Sequence, residues 1–371
     1  MKEFDIAIIG AGASGLAAAT RAADRGAGVC LIEKASVGGV YLRDGFYVLR
    51  MLLNSLGIPR RYAPALEEEL GISAAGCINV PAALRKVREG INALVEKRCK
   101  SLDARGVALI SGIGEIVNPL KILVKSPEGG EQVISTKKII LAMGATPKAL
   151  PAMPYDGKTV ISSDDLLRLP DLPSQILIVG VGGFACEIAV LLNKLGCRVF
   201  VCSEEPRIVQ GQDPDITSAL EEELKKQKVK LLLNKSIVSI YKDVEKVNVT
   251  LDGGVKFSVN LIVVAGVRKP DSGMLLAGGG PGIRTGEQGD IWANEKMETT
   301  LSGVYAVGSV TGGRHSAILV EEEARVAVAN ALGKDKSLDK DKVPTIIYSD
   351  PELASVGCFA SEAHFKGYRA V

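Results

Sequence analysis

Glycines 10, 12 and 15 form the pattern in this chain with the clearest chemical meaning, G-x-G-x-x-G. They follow an apolar run, Phe4 to Ile9, that is typical of a strand buried on both faces. An alanine-rich segment, Ser14–Arg25, follows and is predicted to be a helix. In such a turn the first glycine allows the sharp bend, the second lets backbone approach a pyrophosphate, and the third permits close helix–strand packing. The N–H groups at the helix start would then face the phosphates.

An acidic residue stands at the distance that a bound nucleotide requires. A second predicted strand, Gly28 to Ile32, ends in Glu33, 18 residues beyond Gly15. A carboxylate at this place can bind the two hydroxyls of a ribose. The alternative is a glycine-rich turn in a sheet with no ligand. The order of strand, turn, helix and acid favours nucleotide binding.

The same pattern returns about 170 residues downstream, which indicates an internal duplication. The run ILIVGVGGFACEIAVLLNKLGCRVFVCSEE at 176–205 contains G-x-G-x-x-A, formed by Gly180, Gly182 and Ala185, between a predicted strand and a helix. A further strand and an acid follow it. Two dinucleotide-type units in one chain imply two nucleotide ligands.

Apolar patterning predicts the elements around these two units. They are a helix over 47–56, charged helical sequence over 60–100, small antiparallel strands over 107–111, 112–117 and 121–134, buried strands over 137–147, 260–270 and 301–313, and a helix over 317–332. A charged run, 333–342, is predicted to be a solvated linker that marks a domain boundary.

Composition excludes several classes of function. The length of 371 residues suggests two to three domains, and the 24% of charged residues is ordinary for a globular protein. A net charge of +2 gives no electrostatic argument for nucleic acid or an anionic membrane as partner. No apolar run reaches the roughly 18 residues that a membrane span needs. A strand that begins at residue 4 leaves no room for a signal peptide.

Cysteine usage points to a reducing, cytoplasmic compartment. The seven cysteines are odd in number and include no C-x-x-C. Cys197 and Cys202 fall within one predicted strand, too far apart for a disulfide, and are predicted to be buried packing residues.

Seven segments together resemble the pyridine nucleotide–disulfide oxidoreductases, and within them the dihydrolipoamide dehydrogenase and mercuric reductase branch. They are GAGASG…LIEK, VGGVYLRDGFYVLRMLL, IILAMGATP, IVGVGGFACEIA, VVAGVRKP, VYAVGSVTGG and IYSDPELASVG, in the family's order from residue 4 to about 360. The resemblance implies an α/β fold with two Rossmann-like nucleotide-binding domains of the three-layer ββα type. It places an FAD-binding domain at 1–150 and 272–335, an inserted NAD(P)H-binding domain at 151–271, and the start of a truncated C-terminal α+β interface domain at 342–371.

The resemblance also implies which residues bind FAD and the nicotinamide nucleotide. For FAD these are Gly10, Gly12, Ala13, Ser14, Gly15, Glu33, Lys34, Gly39, Val40, Arg50, Gly114, Ala142, Gly144, Gly308, Ser309 and Ala317. For the nicotinamide nucleotide they are Gly180, Gly182, Gly183, Phe184, Ala185, Glu187, Ser203, Glu204, Ile237, Ala265, Gly266 and Val267. The helix that begins near Ala317 would point its positive end at the flavin.

The sequence departs from the family at its defining chemistry. The family carries a C-x4-C disulfide beside the flavin, in a run resembling GGTCLNVGCIPSK, whereas residues 38–50 here read GGVYLRDGFYVLR. Tyr41 and Phe46 occupy the two cysteine positions, so no thiolate can form there and no dithiol can receive electrons by exchange. The family's lysine near the flavin becomes Arg50, and Glu187 matches its glutamate partner. A buried Arg50–Glu187 pair could be structural or functional.

Other departures weaken the case for family chemistry. Ser309 replaces an aspartate that grips the ribityl hydroxyls, and Met143 replaces a threonine. Only the start of the family's interface domain is present, which argues against a homodimer. The family's acid–base His–Glu pair belongs to the missing part of that domain. The two histidines, His315 and His364, are predicted to be surface residues. No catalytic residue and no metal site is predicted.

Two functions remain open at this point. The first is an FAD-dependent NAD(P)H oxidoreductase that passes electrons directly to a small-molecule acceptor such as a quinone, a dye or oxygen. The second is a non-catalytic FAD- and NAD-binding relative with an assembly or regulatory role. Ser203 and Glu204 stand at the end of the second strand of the nicotinamide unit, where a carboxylate repels a 2′-phosphate. The sequence therefore predicts NAD(H) rather than NADP(H).

Overall fold

The computed structural model describes residues 3–43, 45, 47–54, 80–169, 171–266, 268–273, 282–313, 316–363, 365, 367 and 369. Phe46, Val267, His315 and His364 lie outside the described residues, as do 55–79 of the predicted helical region. The chain divides into two compact units. Unit 1 comprises 1–43, 91–146 and 268–345, and unit 2 comprises 44–90, 147–267 and 346–371.

The described residues form eight α-helices and nineteen strands. The described helices are α1 (Ala13–Ala23), α2 (Gly39–Arg43), α3 (47–54), α4 (Val80–Asp103), α5 (Gly183–Lys194), α6 (Pro214–Lys226), α7 (Ala317–Ala331) and α8 (Ala360–Ala363). The described strands are β1 (Glu3–Ile9), β2 (Val29–Glu33), β3 (Ala108–Ser111), β4 (Ile113–Asn118), β5 (Lys121–Lys125), β6 (Glu131–Leu141), β7 (Ala145–Pro147), β8 (Val160–Ser162), β9 (Gln175–Val179), β10 (Arg198–Cys202), β11 (Lys230–Leu232), β12 (Ile237–Lys242), β13 (Val247–Leu251), β14 (Lys256–Val259), β15 (Leu261–Val264), β16 (Arg268–Pro270), β17 (Val304–Ala306), β18 (Thr345–Ile347) and β19 (Leu353–Ser355).

Unit 1 is built on a seven-stranded sheet of order β3-β2-β1-β6-β5-β4, with β17 paired to β6. The central strands β2, β1 and β6 run parallel, with Ile8 opposite Leu31 and Ile140, and all three side chains are buried. This burial explains the continuous apolar runs, because parallel strands are covered on both faces. The predicted antiparallel hairpin is confirmed in β4, β5 and β6.

The prediction that 107–111 is one of the antiparallel strands is wrong. Strand β3 pairs with β2 in parallel, with Leu31 opposite Leu109. A parallel pair needs a long crossover connection, and the 24-residue helix α4 lies in the connection between these two strands. Periodicity finds the strand but does not give its direction.

Unit 2 contains a parallel sheet of order β11-β10-β9-β15-β8 and an antiparallel sheet of β12, β13 and β14. The predicted strand over 260–270 is shorter than expected, because β15 ends at Val264 and β16 is a separate strand paired with β7. Gly266 lies between them with φ of +116°, a conformation in which an extended strand cannot continue.

The buried cysteines of unit 2 are packing residues, as predicted. Cys197 and Cys202 are 6% and 1% exposed. Burial raises the pKa of each thiol to about 11. Neutral thiols of this kind behave as small hydrophobic side chains.

Asp156 ties together the loop that precedes β8 in unit 2. One carboxylate oxygen accepts backbone N–H bonds from Lys158, Thr159 and Val160 at 2.8–2.9 Å, and the other accepts from the Thr159 hydroxyl and Lys242 Nζ, each at 2.5 Å. Partial burial would raise the pKa of Asp156, but these bonds outweigh it and hold the pKa well below its usual range.

We expect Asp156→Ala to lower the free energy of unfolding by about 2–3 kcal/mol, because it leaves several donors without an acceptor. Urea denaturation at pH 7 measures this loss. Asp156→Asn, which keeps an acceptor oxygen, should lose less. Because the folded pKa is depressed, the advantage of aspartate over asparagine is present at neutral pH and fades as the pH falls below about 4. Equal stability of wild type and Asp156→Ala would contradict the argument.

Candidate nucleotide-binding sites

The first glycine turn admits only glycine at its first position. Gly10 has φ of +102°, and a Cβ added there would lie 2.4 Å from the carbonyl oxygen of Ala142. The two strands are joined at this point, since the Ala142 N–H donates to the Ile9 carbonyl at 2.8 Å. The turn therefore packs directly on the end of β6.

The other two glycines of this turn have different surroundings: Gly15 is closely packed, and Gly12 is open to a ligand. A Cβ at Gly15 would lie 1.8 Å from the Gly10 carbonyl oxygen, so helix α1 approaches the turn as closely as glycine allows. A Cβ at Gly12 would meet nothing within 4 Å, and Gly12 is the N-cap of α1. A glycine N-cap has no side chain to accept from the first-turn N–H groups, which leaves these donors for an anion. This cradle fits a pyrophosphate.

Glu33 holds the loop beside this turn. Its two carboxylate oxygens accept the backbone N–H groups of Ala11 at 2.6 Å and Ala35 at 2.9 Å. Each oxygen keeps a further lone pair that a ribose hydroxyl can use. An open cleft lies here, lined by Ile9, Gly10, Ile32, Glu33, Lys34, Gly112, Ile113, Gly114, Met143 and Asp271.

The cleft brings together four predicted residues, Gly10, Glu33, Lys34 and Gly114, with one that sequence reasoning missed. Asp271 forms an ion pair with Lys34 at the edge of the cleft. The Asp271 N–H donates to the carbonyl of Gly144, another predicted residue, at 3.0 Å. No local sequence pattern identifies Asp271, because its ion-pair partner Lys34 is 237 residues away in the sequence.

Gly308 belongs to a second turn that packs on α1. A Cβ at Gly308 would lie 2.6 Å from the Ser14 hydroxyl. The Gly308 N–H donates to a carboxylate oxygen of Glu323 at 2.7 Å, and Glu323 is 1% exposed. Glu323 was also missed, although an acid on the otherwise apolar face of α7 is a signal that helical periodicity could have given.

The remaining predicted residues of unit 1 surround these two turns. A Cβ at Gly39 would lie 3.0 Å from Gly12 Cα, and Ser309 lies in the 3₁₀ turn Gly308–Thr311. Ala13 and Val40 lie in α1 and α2. Ala317 begins α7, whose N-cap Ser316 accepts the Leu319 N–H at 3.1 Å.

The glycine turn of unit 2 repeats this construction. Gly180 has φ of +125°, and a Cβ there would lie 2.0 Å from the carbonyl oxygen of Ala265. Gly182 is the N-cap of α5, and a Cβ there would meet nothing within 4 Å. Ala185 is fully buried at the place of the third glycine. The structure therefore repeats the open N-cap next to a closed turn.

Around this turn the predicted residues occupy different settings. Gly183 and Phe184 begin α5, and a Cβ at Gly183 would lie 3.0 Å from the Ile347 side chain. Ser203 follows β10, and its hydroxyl accepts the Glu205 N–H at 3.2 Å, while Glu204 is exposed. Ile237 packs on the buried cluster that contains Cys202 and Val264.

Glu187 is the charged residue of α5 that burial affects most. It is 2% exposed, and one carboxylate oxygen accepts the backbone N–H of Tyr348 at 2.8 Å. Burial raises the pKa of Glu187, and the Tyr348 N–H and the charge of Arg50 oppose the rise. The charge of Arg50 therefore acts on the Glu187 carboxyl, while a direct ion pair between the two side chains stays a prediction.

The chain belongs to the pyridine nucleotide-disulphide oxidoreductase family, whose model matches residues 4–331. It is 31% identical over 363 residues to a leghemoglobin reductase of Glycine max, covering 96% of this chain and 69% of that protein. It is also 31% identical over 385 residues to a dihydrolipoyl dehydrogenase of Bacillus subtilis, covering 99% of this chain and 80% of that protein.

Solved structures show the same fold. The flavoprotein disulfide reductase RclA of Escherichia coli superposes with a TM-score of 0.84 at 25% identity, covering 99% of this chain and 80% of that one. LpdA of Mycobacterium tuberculosis superposes with a TM-score of 0.88 at 24% identity over the same shares of the two chains. The predicted family and α/β fold are confirmed, and FAD and NAD(H) are confirmed as cofactors at the level of the family.

No described helix is long and apolar enough to cross a membrane. The part of the chain that the structure describes also contains no group of three or more histidine, cysteine or acidic side chains able to hold a metal ion.

Proposed function

We propose that the chain is an FAD-dependent NADH oxidoreductase that works without a dithiol relay. The observation that carries this proposal is the repeated turn, closed at Gly10 and Gly180 and open at the helix N-caps Gly12 and Gly182. A turn with only a structural role does not require an open, uncapped helix start, whereas a turn that binds a pyrophosphate does. Family membership supports one flavin and one nicotinamide nucleotide as the two ligands.

The chain's own residues bind and orient the cofactors. The N–H groups at the start of α1 hold one pyrophosphate, and Glu33 accepts the ribose hydroxyls of the same ligand. Those at the start of α5 hold the second pyrophosphate, with Ser203 and Glu204 toward its ribose. Bound FAD supplies the chemistry, which is to take a hydride from the reduced nicotinamide and pass two electrons to an acceptor.

The thiols of the described chain support a mechanism without dithiol exchange. Tyr41 lies in α2 at one of the two positions where the family carries cysteine. Burial raises the pKa of Cys30 and Cys186 to about 12, so neither is a thiolate at neutral pH. We therefore propose that a small-molecule acceptor such as a quinone, a dye or oxygen receives the electrons directly. The free thiols also support a reducing, cytoplasmic compartment.

A second candidate is a non-catalytic relative that binds FAD and NAD for assembly or regulation. Ser309 favours it, because a hydroxyl is a weaker acceptor than the aspartate of the family at that position. The two functions agree on the domains, which we place at 1–150 with 272–335 for FAD and at 151–271 for the nicotinamide nucleotide.

An absorption spectrum of the purified protein distinguishes these functions. We expect a yellow protein whose flavin bands bleach when NADH is added without oxygen. We expect no long-wavelength band from charge transfer between a thiolate and the flavin, because Tyr41 stands where a thiolate would be. Bound flavin that NADH does not bleach would favour the non-catalytic relative. Colourless protein that does not bind added FAD would contradict both proposed functions.

Cofactor preference gives an independent prediction. We expect NADH to bind at least about tenfold more tightly than NADPH, because the exposed Glu204 carboxylate repels a 2′-phosphate. Glu204→Arg should reverse or abolish this preference, whereas Lys246→Arg, which leaves the charge unchanged, should not. Stopped-flow titration of flavin reduction with both nucleotides measures the two affinities. Equal preference in wild type and Glu204→Arg would contradict the assignment of this residue.

A further inference from the structure

Three segments that are remote in sequence meet around one aromatic ring in unit 2. The guanidinium carbon of Arg50, on α3, lies 3.6 Å from the centroid of the Tyr348 ring. The backbone N–H of the same Tyr348, just after β18, donates to Glu187 on α5 at 2.8 Å. Tyr348 thus contacts the cation through its ring and the anion through its backbone.

The carboxylate in this cluster is only half satisfied. One oxygen of Glu187 holds the Tyr348 bond, while Oε2 is buried and has no hydrogen-bond partner among the described residues. An anion in such a place depends on nearby positive charge, and Arg50 supplies it. The orientation of the Arg50 guanidinium therefore affects how well its charge stabilises the Glu187 carboxylate.

Arginine suits this arrangement in a way that lysine does not. A guanidinium is planar and stacks on an aromatic face, whereas an ammonium is a compact point charge on a flexible stem. The Tyr348 ring offers Arg50 such a face, and the Tyr348 N–H fixes the carboxylate that the guanidinium must serve.

We propose that Tyr348 is a positioning residue, whose ring orients the Arg50 guanidinium toward Glu187 and whose backbone N–H holds that carboxylate in place. This rests on the proposed function, because Arg50 and Glu187 are among the residues that the family resemblance assigns to the two cofactors. The inference extends the site to Tyr348, in a segment that carries the family resemblance but to which no cofactor-binding residue was assigned.

The test uses protein freed of flavin, so that it does not depend on activity. Burial raises the pKa of Glu187, so its contribution to stability is intact below about pH 4.5 and is lost as the pH rises through its folded pKa. A fit to the difference in urea stability between wild type and Glu187→Gln, followed against pH, gives the folded pKa of Glu187, which is the midpoint of its titration in the folded protein. The groups that interact with this carboxyl are the Tyr348 N–H, the charge of Arg50 and the thiol of Cys186, the preceding residue on α5.

Tyr348→Leu keeps the backbone N–H and removes the ring, so Arg50 is released and the midpoint should move upward by about half a pH unit. Tyr348→Phe keeps the ring and should leave the midpoint unchanged. Tyr348→Met fills the space without an aromatic face and serves if the leucine variant fails to fold. In an Arg50→Met background, removal of the ring should produce no further shift.

Two results would overturn the proposal. One is a midpoint in Tyr348→Leu or Tyr348→Met equal to that of wild type. The other is an equal shift on loss of the ring whether or not Arg50 is present, which would mean that the ring acts on Glu187 by packing alone. Neither result requires bound flavin, so failure of the proposed function is seen separately, in the absorption spectrum.

Discussion

Gly15→Ala is expected to lower the free energy of unfolding by about 3 kcal/mol or more, whereas Gly12→Ala is expected to change it by less than about 1 kcal/mol. Gly12 and Gly15 lie in the same turn, but only Gly15 has backbone atoms packed against the position that a Cβ would occupy. A Cβ at residue 15 would lie 1.8 Å from the Gly10 carbonyl oxygen, and a rigid turn cannot yield as a flexible side chain does. A Cβ at residue 12 would meet nothing within 4 Å.

For FAD binding, measured on the variants that fold, we expect the larger effect from Gly12→Ala rather than from Gly15→Ala. The open surface at Gly12 is where the proposed pyrophosphate approaches the backbone, so an added methyl group should weaken FAD binding by about 10- to 100-fold. Trp292 is the single tryptophan of the chain, lies in unit 1 and is 42% exposed. Quenching of its fluorescence by added FAD reports binding, and urea denaturation of the flavin-free protein reports stability.

A matched control comes from the turn in unit 2. Gly182→Ala makes the same change at the N-cap of α5 and should leave FAD affinity as it is while weakening NADH binding. If Gly12→Ala binds FAD as tightly as wild type, the open N-cap of α1 is not the pyrophosphate site. If Gly15→Ala is as stable as wild type, the close approach in the turn is not what holds α1.

The glycine turns show what the sequence alone predicts well. Their residues lie within a few positions of each other, and each requirement, a positive φ at Gly10 or a close approach at Gly15, leaves glycine as the residue that fits. Strand–turn–helix order is then fixed locally. Burial of parallel strands is visible for the same reason, because it acts on every residue of a run such as 4–9.

Interactions between remote segments could not be predicted in this way. Asp271 meets Lys34 across 237 residues, and Tyr348 meets Glu187 across 161. Neither aspartate nor tyrosine is unusual in its own neighbourhood. The contacts of Asp271 and Tyr348 depend on where the sheets place the ends of the strands. The direction of β3 could not be predicted for the same reason, because it depends on pairing with β2, a strand remote in sequence.

The two candidate nucleotide sites differ where their local sequence pattern is the same. Glu33 at the end of β2 accepts two backbone N–H bonds and lies in a cleft. At the corresponding place after β10, Ser203 makes a local bond and Glu204 is exposed. The Glu33 carboxylate is therefore held in place by backbone bonds, whereas the Glu204 side chain is exposed.

Glu33→Ala should therefore weaken FAD binding by about 100-fold. The carboxylate organises the loop through Ala11 and Ala35, and charged hydrogen bonds to the ribose hydroxyls are lost with it. Asp271→Asn is the matched control, since it removes an acid from the same cleft and should change affinity by less than about threefold. Asp271 is already neutralised by Lys34, so its charge adds little to ribose binding. Equal losses in the two variants, measured by Trp292 quenching, would mean that the cleft's total charge, not Glu33, binds the ligand.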